Sequence, residues 1–152
     1  MSEIAQLEES IEIAAAPERV WSLVTDLRRM ASWSPQVVTT LVRGTPVTTG
    51  TRALNVNRRG ALLWPTTSTV VRFEPHRDFA FRVVENAAVW SFALDPTPTG
   101  TRVTQRRETP QGLTAFSRLF TRGLLGGRDV FTDELRTGMQ ETLRRIKADA
   151  EA

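Results

Sequence analysis

The sequence contains no cysteine and no tyrosine, one histidine (His76) and one lysine (Lys147). Without cysteine there is no disulfide, no thiolate nucleophile and no thiolate metal site. The longest uncharged runs, Ala31 to Val42 and Gly60 to Val71, hold 12 residues each, whereas a helical membrane span needs about 20 apolar residues. Met1 to Ser10 is acidic and lacks the basic and apolar regions of a secretion signal. These absences lead to the expectation of a cytoplasmic chain with no stable membrane anchor. The net charge is +3, yet the isoelectric point is near 10.8. The two agree because almost nothing titrates between about pH 7 and 10, so a small arginine excess lifts the isoelectric point. The basic residues are scattered rather than gathered in one run, so the charge does not point to a nucleic-acid partner.

The chain of 152 residues, 40% hydrophobic, suits a single domain over 1–152 with a sizeable core. Gln111 to Ala150 reads as one long helical stretch. Phe131, Leu135, Met139, Leu143 and Ile146 fall on one stripe at about 100° per residue. Arg136, Glu141, Arg144, Arg145 and Asp149 occupy the opposite face. Upstream, Leu113, Phe116, Phe120 and Leu124 keep nearly the same phase. An unbroken helix from 113 to 147 would be roughly 52 Å long, in a globule about 38 Å across. It must bend or break, and Gly123, Gly126 and Gly127 are the natural place.

Ahead of it the pattern changes twice. Leu7, Glu9, Ile11 and Ile13 alternate along a strand ending near Ala15. Pro17 and Glu18 suit the first turn of a helix with Val20, Trp21, Leu23 and Val24 on its apolar face. Asp26 can cap a second short helix carrying Leu27, Met30 and Trp33, which Ser34-Pro35 ends. The period then becomes two, with strands at about 36–43, 51–59, 62–74, 79–84, 89–95 and 101–108, separated by turn chemistry rich in Gly, Pro, Asn and Asp. The short connections make sequential strands antiparallel neighbours. The expected fold is α+β: a seven-stranded curved antiparallel sheet around a long C-terminal helix, with two short helices between strands 1 and 2. A sheet of this size closed by one helix encloses a space unless large side chains fill it.

Three stretches carry a resemblance: SIEIAAAPERVWSLVTDLRRMASWSP at 10–35, GTRALNVNRRGALLWPTTSTVVRFEP at 50–75 and VWSFALDPTPTGTRVTQ at 89–105. In their order and spacing they resemble the START-like superfamily, with its helix-grip fold, and within it the bacterial polyketide cyclase/dehydrase-like (SRPBCC) branch. The resemblance covers essentially the whole chain. It implies an apolar cavity between sheet and helix. Members bind lipids, sterols, hormones or polyketides, and a few catalyse cyclisation.

Alternation nominates the inward residues. Trp90, Phe92 and Leu94 share a face of the sixth strand, and Phe79, Phe81 and Val83 a face of the fifth. Val103, Gln105 and Arg107 are the inward set of the seventh. On the third strand either Leu54 and Val56 or Ala53, Asn55 and Asn57 point in. The resemblance favours Asn57, with Trp64 after the next turn. Of the doublets Arg58-Arg59 and Arg106-Arg107, one arginine each is directed to the concave side. It either snorkels at the rim or anchors an anionic group. Trp33, Trp64 and Trp90 are either core or cavity lining, and so is Met139. The candidate ligand contacts are therefore Trp33, Trp64, Trp90, Phe92, Phe131, Leu135 and Met139 as apolar lining, with Asn57, Gln105 and Arg107 as polar anchors. No catalytic residue, metal ligand or cofactor is nominated. His76 lies in a turn and is expected to be exposed, and no His/Asp/Glu cluster has metal-ligand spacing. The expected function is binding of a small hydrophobic or amphipathic molecule in a cavity of ~300–1,000 Å³. The alternatives are a polyketide aromatase/cyclase that polarises carbonyls with the same polar trio, and a surface interaction module with a filled core.

Overall fold

Period-two patterning builds the sheet. The computed structural model describes residues 6–44, 46–85, 87–109 and 128–152, with side chains in the last segment from 132 onward. The strands are β1 (Gln6–Ile13), β2 (Val37–Arg43), β3 (Arg52–Arg59), β4 (Leu62–Glu74), β5 (Asp78–Val83), β6 (Val89–Thr97) and β7 (Gly100–Glu108). They form one antiparallel sheet in the order β1-β7-β6-β5-β4-β3-β2. Short turns make consecutive strands neighbours, and β1 closes against the last of them. Register slips between Val37 and Thr39 in β2 and between Val70 and Arg72 in β4 mark bulges. Each leaves a valine, Val38 or Val71, turned to solvent and increases the local twist that curves the sheet.

Between β1 and β2 run α1 (Pro17–Val24), a 3₁₀ turn at Leu27–Arg29 and α2 (Met30–Trp33). Pro17 opens α1 with Glu18 in the first turn, and Val20, Trp21, Leu23 and Val24 are all buried. Asp26 occupies the N-cap position of the 3₁₀ turn without making a capping hydrogen bond. Its carboxylate instead faces Arg29 at 3.7 Å, which corrects the expected cap. The C-terminal helix α3 runs from Arg128 to Glu151, about 36 Å at 1.5 Å per residue. The glycines expected to break the helical stretch, Gly123, Gly126 and Gly127, lie outside the described residues.

The helix stripe does two jobs along its length. Leu143, Ile146 and Ala150 enter the main core with Val20, Trp33, Phe79, Phe92 and Val103, whereas Leu135 and Met139 form a smaller cluster with Leu7 and Trp90. Between β1, the β6–β7 turn and α1 the chain is tightly fitted. The Thr101 hydroxyl donates to Ala15 O at 2.7 Å, and a Cβ on Gly100 would lie 2.0 Å from Ile13 O. Backbone atoms cannot yield as a flexible side chain can. Gly100→Ala should therefore destabilise the fold by about 1–3 kcal/mol, the usual scale of overpacking. Urea titration would read this as a lower midpoint at unchanged slope; a native midpoint would mean that this junction relaxes freely.

Candidate functional site

The concave face is assembled row by row from cross-strand pairs. Leu7, Arg107, Trp90 and Phe81 form one row, and Glu9, Gln105, Phe92 and Phe79 the next. Toward the other edge of the sheet, on the same face, Thr40, Asn55 and Thr66 form a row, flanked by Val37, Asn57 and Trp64 and by Val42, Ala53 and Ser68. Of the two phases open for β3, the structure has Ala53, Asn55 and Asn57 inward. Leu54 is 43% exposed on the convex face, next to Leu41 at 62%.

The inward polar residues hold one another. Thr40 Oγ1 donates to Asn55 Oδ1 at 3.1 Å, and Asn55 Nδ2 donates to Ser68 Oγ at 3.3 Å. Asn57 Nδ2 donates to Trp64 O at 3.2 Å and to Thr66 Oγ1 at 2.9 Å. Thr66 and Ser68 accept through their oxygens, so each hydroxyl proton remains available, as do the lone pairs of Asn57 Oδ1.

A cavity of about 110 Å³ lies between this ladder and α3. Asn55, Asn57, Thr66, Ser68 and Gln105 supply its polar lining. Phe81, Val83, Trp90, Leu135 and Met139 form the apolar wall, and Leu27, Met30 and Val37 close one end. The described space is smaller than the ~300–1,000 Å³ expected. Five of the ten nominated contacts, Asn57, Trp90, Gln105, Leu135 and Met139, come together here. Phe92 and Trp33 do not line the cavity. Phe92 is fully buried in the main core. Trp33 is pinned there by its indole N–H, which donates to Asp149 Oδ2 at 2.7 Å, and it borders a separate surface recess with Arg19, Arg29 and Arg145. Trp64 is half-buried beside Asn57, outside the lining. The side chain of Phe131 lies outside the described residues. The sequence reading missed Leu27, Met30 and Val37, whose strand and helix patterns mark them as apolar but cannot show that the 3₁₀ turn bends over the sheet. His76 is exposed in its turn with φ of 68°. Among the described residues no three His, Asp or Glu side chains are grouped to hold a metal.

The inward arginines have opposite fates. Arg59 donates from Nε and Nη2 to Glu134 at 2.7 and 2.6 Å, tying β3 to α3. That hydrogen bonding raises the Arg59 pKa and lowers that of Glu134. Arg107 is 2% exposed and has no hydrogen bond or ion pair among the described residues. Its Nη1 is a buried donor without an acceptor, and Gln105 Oε1 is a buried acceptor without a donor. The guanidinium sits over the Trp90 ring, 5.7 Å from its centroid, and is not part of the lining. Burial pushes its pKa down to about 10.

A curved seven-stranded sheet gripping a C-terminal helix over an amphipathic cavity defines the helix-grip class. The chain belongs to the polyketide cyclase / dehydrase and lipid transport family, which matches residues 5–151. It is similar in fold to the di-domain aromatase/cyclase BexL of the BE-7585A biosynthetic pathway (20% identity, TM-score 0.77, covering 97% of this chain and 50% of BexL). It is likewise similar to the Zhui aromatase/cyclase of Streptomyces sp. R1128 (14% identity, TM-score 0.73, 96% and 93% covered). A third similar structure is the polyketide-cyclase-like protein Cgl2372 of Corynebacterium glutamicum (27% identity, TM-score 0.61, 93% and 88% covered). The chain thus spans half the length of BexL. No curated protein sequence matches it. No helix among the described residues is long and apolar enough to cross a membrane.

The sign of the Arg107 contribution follows from its lowered pKa. The unfolded chain holds this proton more tightly than the folded one, so the charge opposes folding at neutral pH. The penalty falls away only as pH climbs from about 10 toward the unfolded value. Arg107→Met should therefore stabilise the ligand-free protein, by about 1–4 kcal/mol if it behaves like other replacements of buried charge by apolar groups. Urea titration at pH 7 checks this; a loss of stability would mean that the stack on Trp90 outweighs the desolvation.

Proposed function

We propose that the protein binds a small amphipathic molecule in the cavity between β3–β7 and α3, without transforming it. One observation carries the reading: β3 turns its asparagines inward and its leucine and valine outward. A one-residue shift of phase would have put Leu54 and Val56 in the core. A purely structural interior gains from that choice, because buried polar groups are costly unless paired. The inward ladder pairs most of its own groups and leaves Asn57 Oδ1, two hydroxyl protons and the Gln105 amide for a guest. The facing wall of Phe81, Val83, Trp90, Leu135 and Met139 suits an apolar body.

The space as it stands is below the ~150 Å³ of a cavity that accepts benzene. Met30 and Met139, each with three rotatable bonds, are the lining residues best able to move aside for a longer guest. The described lining holds no ionisable side chain, so proton transfer has no agent among these residues.

A second reading, polyketide aromatase/cyclase, is favoured by the family and by the likeness to BexL and Zhui. It would rest on orienting a reactive chain and polarising its carbonyls with Asn57, Gln105 and the ladder hydroxyls. Turnover of a poly-β-ketone by the purified protein would establish that reading over simple binding.

Titration with a panel of fatty acids and flat polycyclic compounds tests the cavity. A ligand at 100 times its Kd should add about 2.7 kcal/mol of stability and raise the melting temperature. Tryptophan emission should change on binding, and Trp90→Phe should remove most of that change. A panel that moves neither quantity defeats the binding reading.

A further inference from the structure

We infer that the ligand of this cavity carries a carboxylate, or an anion of the same hydrogen-bonding kind, and that Arg107 receives it. The inference rests on the cavity being the binding site and adds the class of ligand. Four arginines on the strands differ in what they meet. Arg59 meets Glu134, Arg106 meets Glu8 and Arg72 meets Asp78, each within 2.8 Å. All three of those arginines keep access to water. Arg107 alone of the four is buried, and it alone has no carboxylate. Its cross-strand neighbours are Leu7 and Trp90, and no carboxylate among the described residues pairs with it. A guanidinium removed from water requires a partner, and the described protein supplies only the Trp90 ring. Contact with an aromatic face uses the flat side of the guanidinium and leaves the N–H donors at its edge free.

Position makes the partner a ligand. Arg107 shares its row with Phe81 and Trp90, both cavity lining, and shares a strand face with Gln105, also lining. Two strand residues separate the last pair by about 6.6 Å. The two orphaned atoms, Arg107 Nη1 and Gln105 Oε1, thus belong to neighbouring residues of one strand face beside the cavity, one a donor and one an acceptor. An anion passing the edge of the Trp90 ring meets the fork of Arg107, and a hydroxyl next to that anion would serve Gln105. The apolar body then lies along Phe81, Val83, Leu135 and Met139. The lone charge fixes which end of the ligand enters.

Octanoate and methyl octanoate, compared by calorimetric titration at pH 7.5, test the anchor, since they differ only in the charged tip. The native chain should bind the acid about 10- to 150-fold more tightly than the ester, the ratio equivalent to a hydrogen bond to a charged group. Arg107→Met should bring the acid to within about threefold of the ester while leaving the ester unchanged. Arg107→Gln keeps hydrogen bonding without charge and gives the same readout should the methionine variant not fold. Arg59→Met should leave the preference intact. Equal affinity of acid and ester in the native chain overturns the anchor and leaves the cavity reading standing, as does a preference that survives loss of Arg107. Failure of the native chain to bind either compound overturns both.

Discussion

The fastening of the C-terminal end of α3 governs everything upstream of it. A helix ends with carbonyls that have no partner within the helix. Here Arg19 of α1 donates to Asp149 O and Ala150 O at 3.0 and 2.8 Å. Trp33 of α2 holds the Asp149 side chain, and Glu151 accepts from Ala14 N at 2.7 Å where β1 ends. The helix is therefore tied to α1, α2 and β1 within its last turn. Ile146 and Leu143 fill the core next to this anchor. Met139 lies about 16 Å back along the axis from Ala150, where it and Leu135 pack on Leu7 and Trp90 of the sheet. Gly138 and Thr142, both small, line the cavity from the helix, and a Cβ on Gly138 would meet Pro35 at 3.7 Å. The helix is also tied farther back, by Glu134 to Arg59 of β3 and by Arg136 and Gln140 to Glu9 of β1, so it is held to the sheet on both sides of Gly138 and Thr142.

The polar interior is legible as two solutions to one problem. Arg59 and the ladder of Asn55, Asn57, Thr66 and Ser68 are satisfied inside the protein, so they cost little and hold β2, β3, β4 and α3 in register. Gln105 and Arg107 are left open. Stability alone would remove them, because an apolar residue at either site avoids a desolvated group with no partner. Sites that bind often bear this kind of local cost, and stabilising replacements there remove function.

Much of the architecture could be read from the chain before any coordinates. Alternation is a period-two signal that survives at every strand, and turn residues punctuate it, so all seven strands and the sequential pairing of β2 through β7 were accessible, whereas the pairing of β1 with β7 leaves no local signal. The four described residues of the α3 stripe, Leu135, Met139, Leu143 and Ile146, are all buried. The phase of β3 was not accessible from hydrophobicity, which argues for Leu54 and Val56 inward; only the resemblance favoured Asn57. The fate of each tryptophan was hidden for a different reason. Trp33, Trp64 and Trp90 have the same chemistry, and whether one is core or lining depends on which part of the helix lies against it. Trp33 follows the fastened end into the core, Trp90 faces the gap, and Trp64 sits at the margin beside Asn57. The bulges at Val38 and Val71 left no local mark, since valine is an ordinary strand residue in either arrangement.

Binding and cyclisation place different demands on the same cavity. A binder must satisfy the ligand it holds, and a ladder of neutral donors and acceptors does that for hydroxyl and carbonyl groups along one edge. A cyclase must also bring two atoms of one chain together and stabilise the charge that develops between them. The full charge on the cavity side of β7 lies over Trp90, and the inward charge nearest the asparagines, Arg59, is taken up by Glu134. Charge at the end orients a molecule along the cavity. Charge at the middle would polarise it. On the proposed reading the interior selects and directs a guest, and chemistry would require Asn57 and Gln105 to do, as neutral amides, what the paired Arg59 does not.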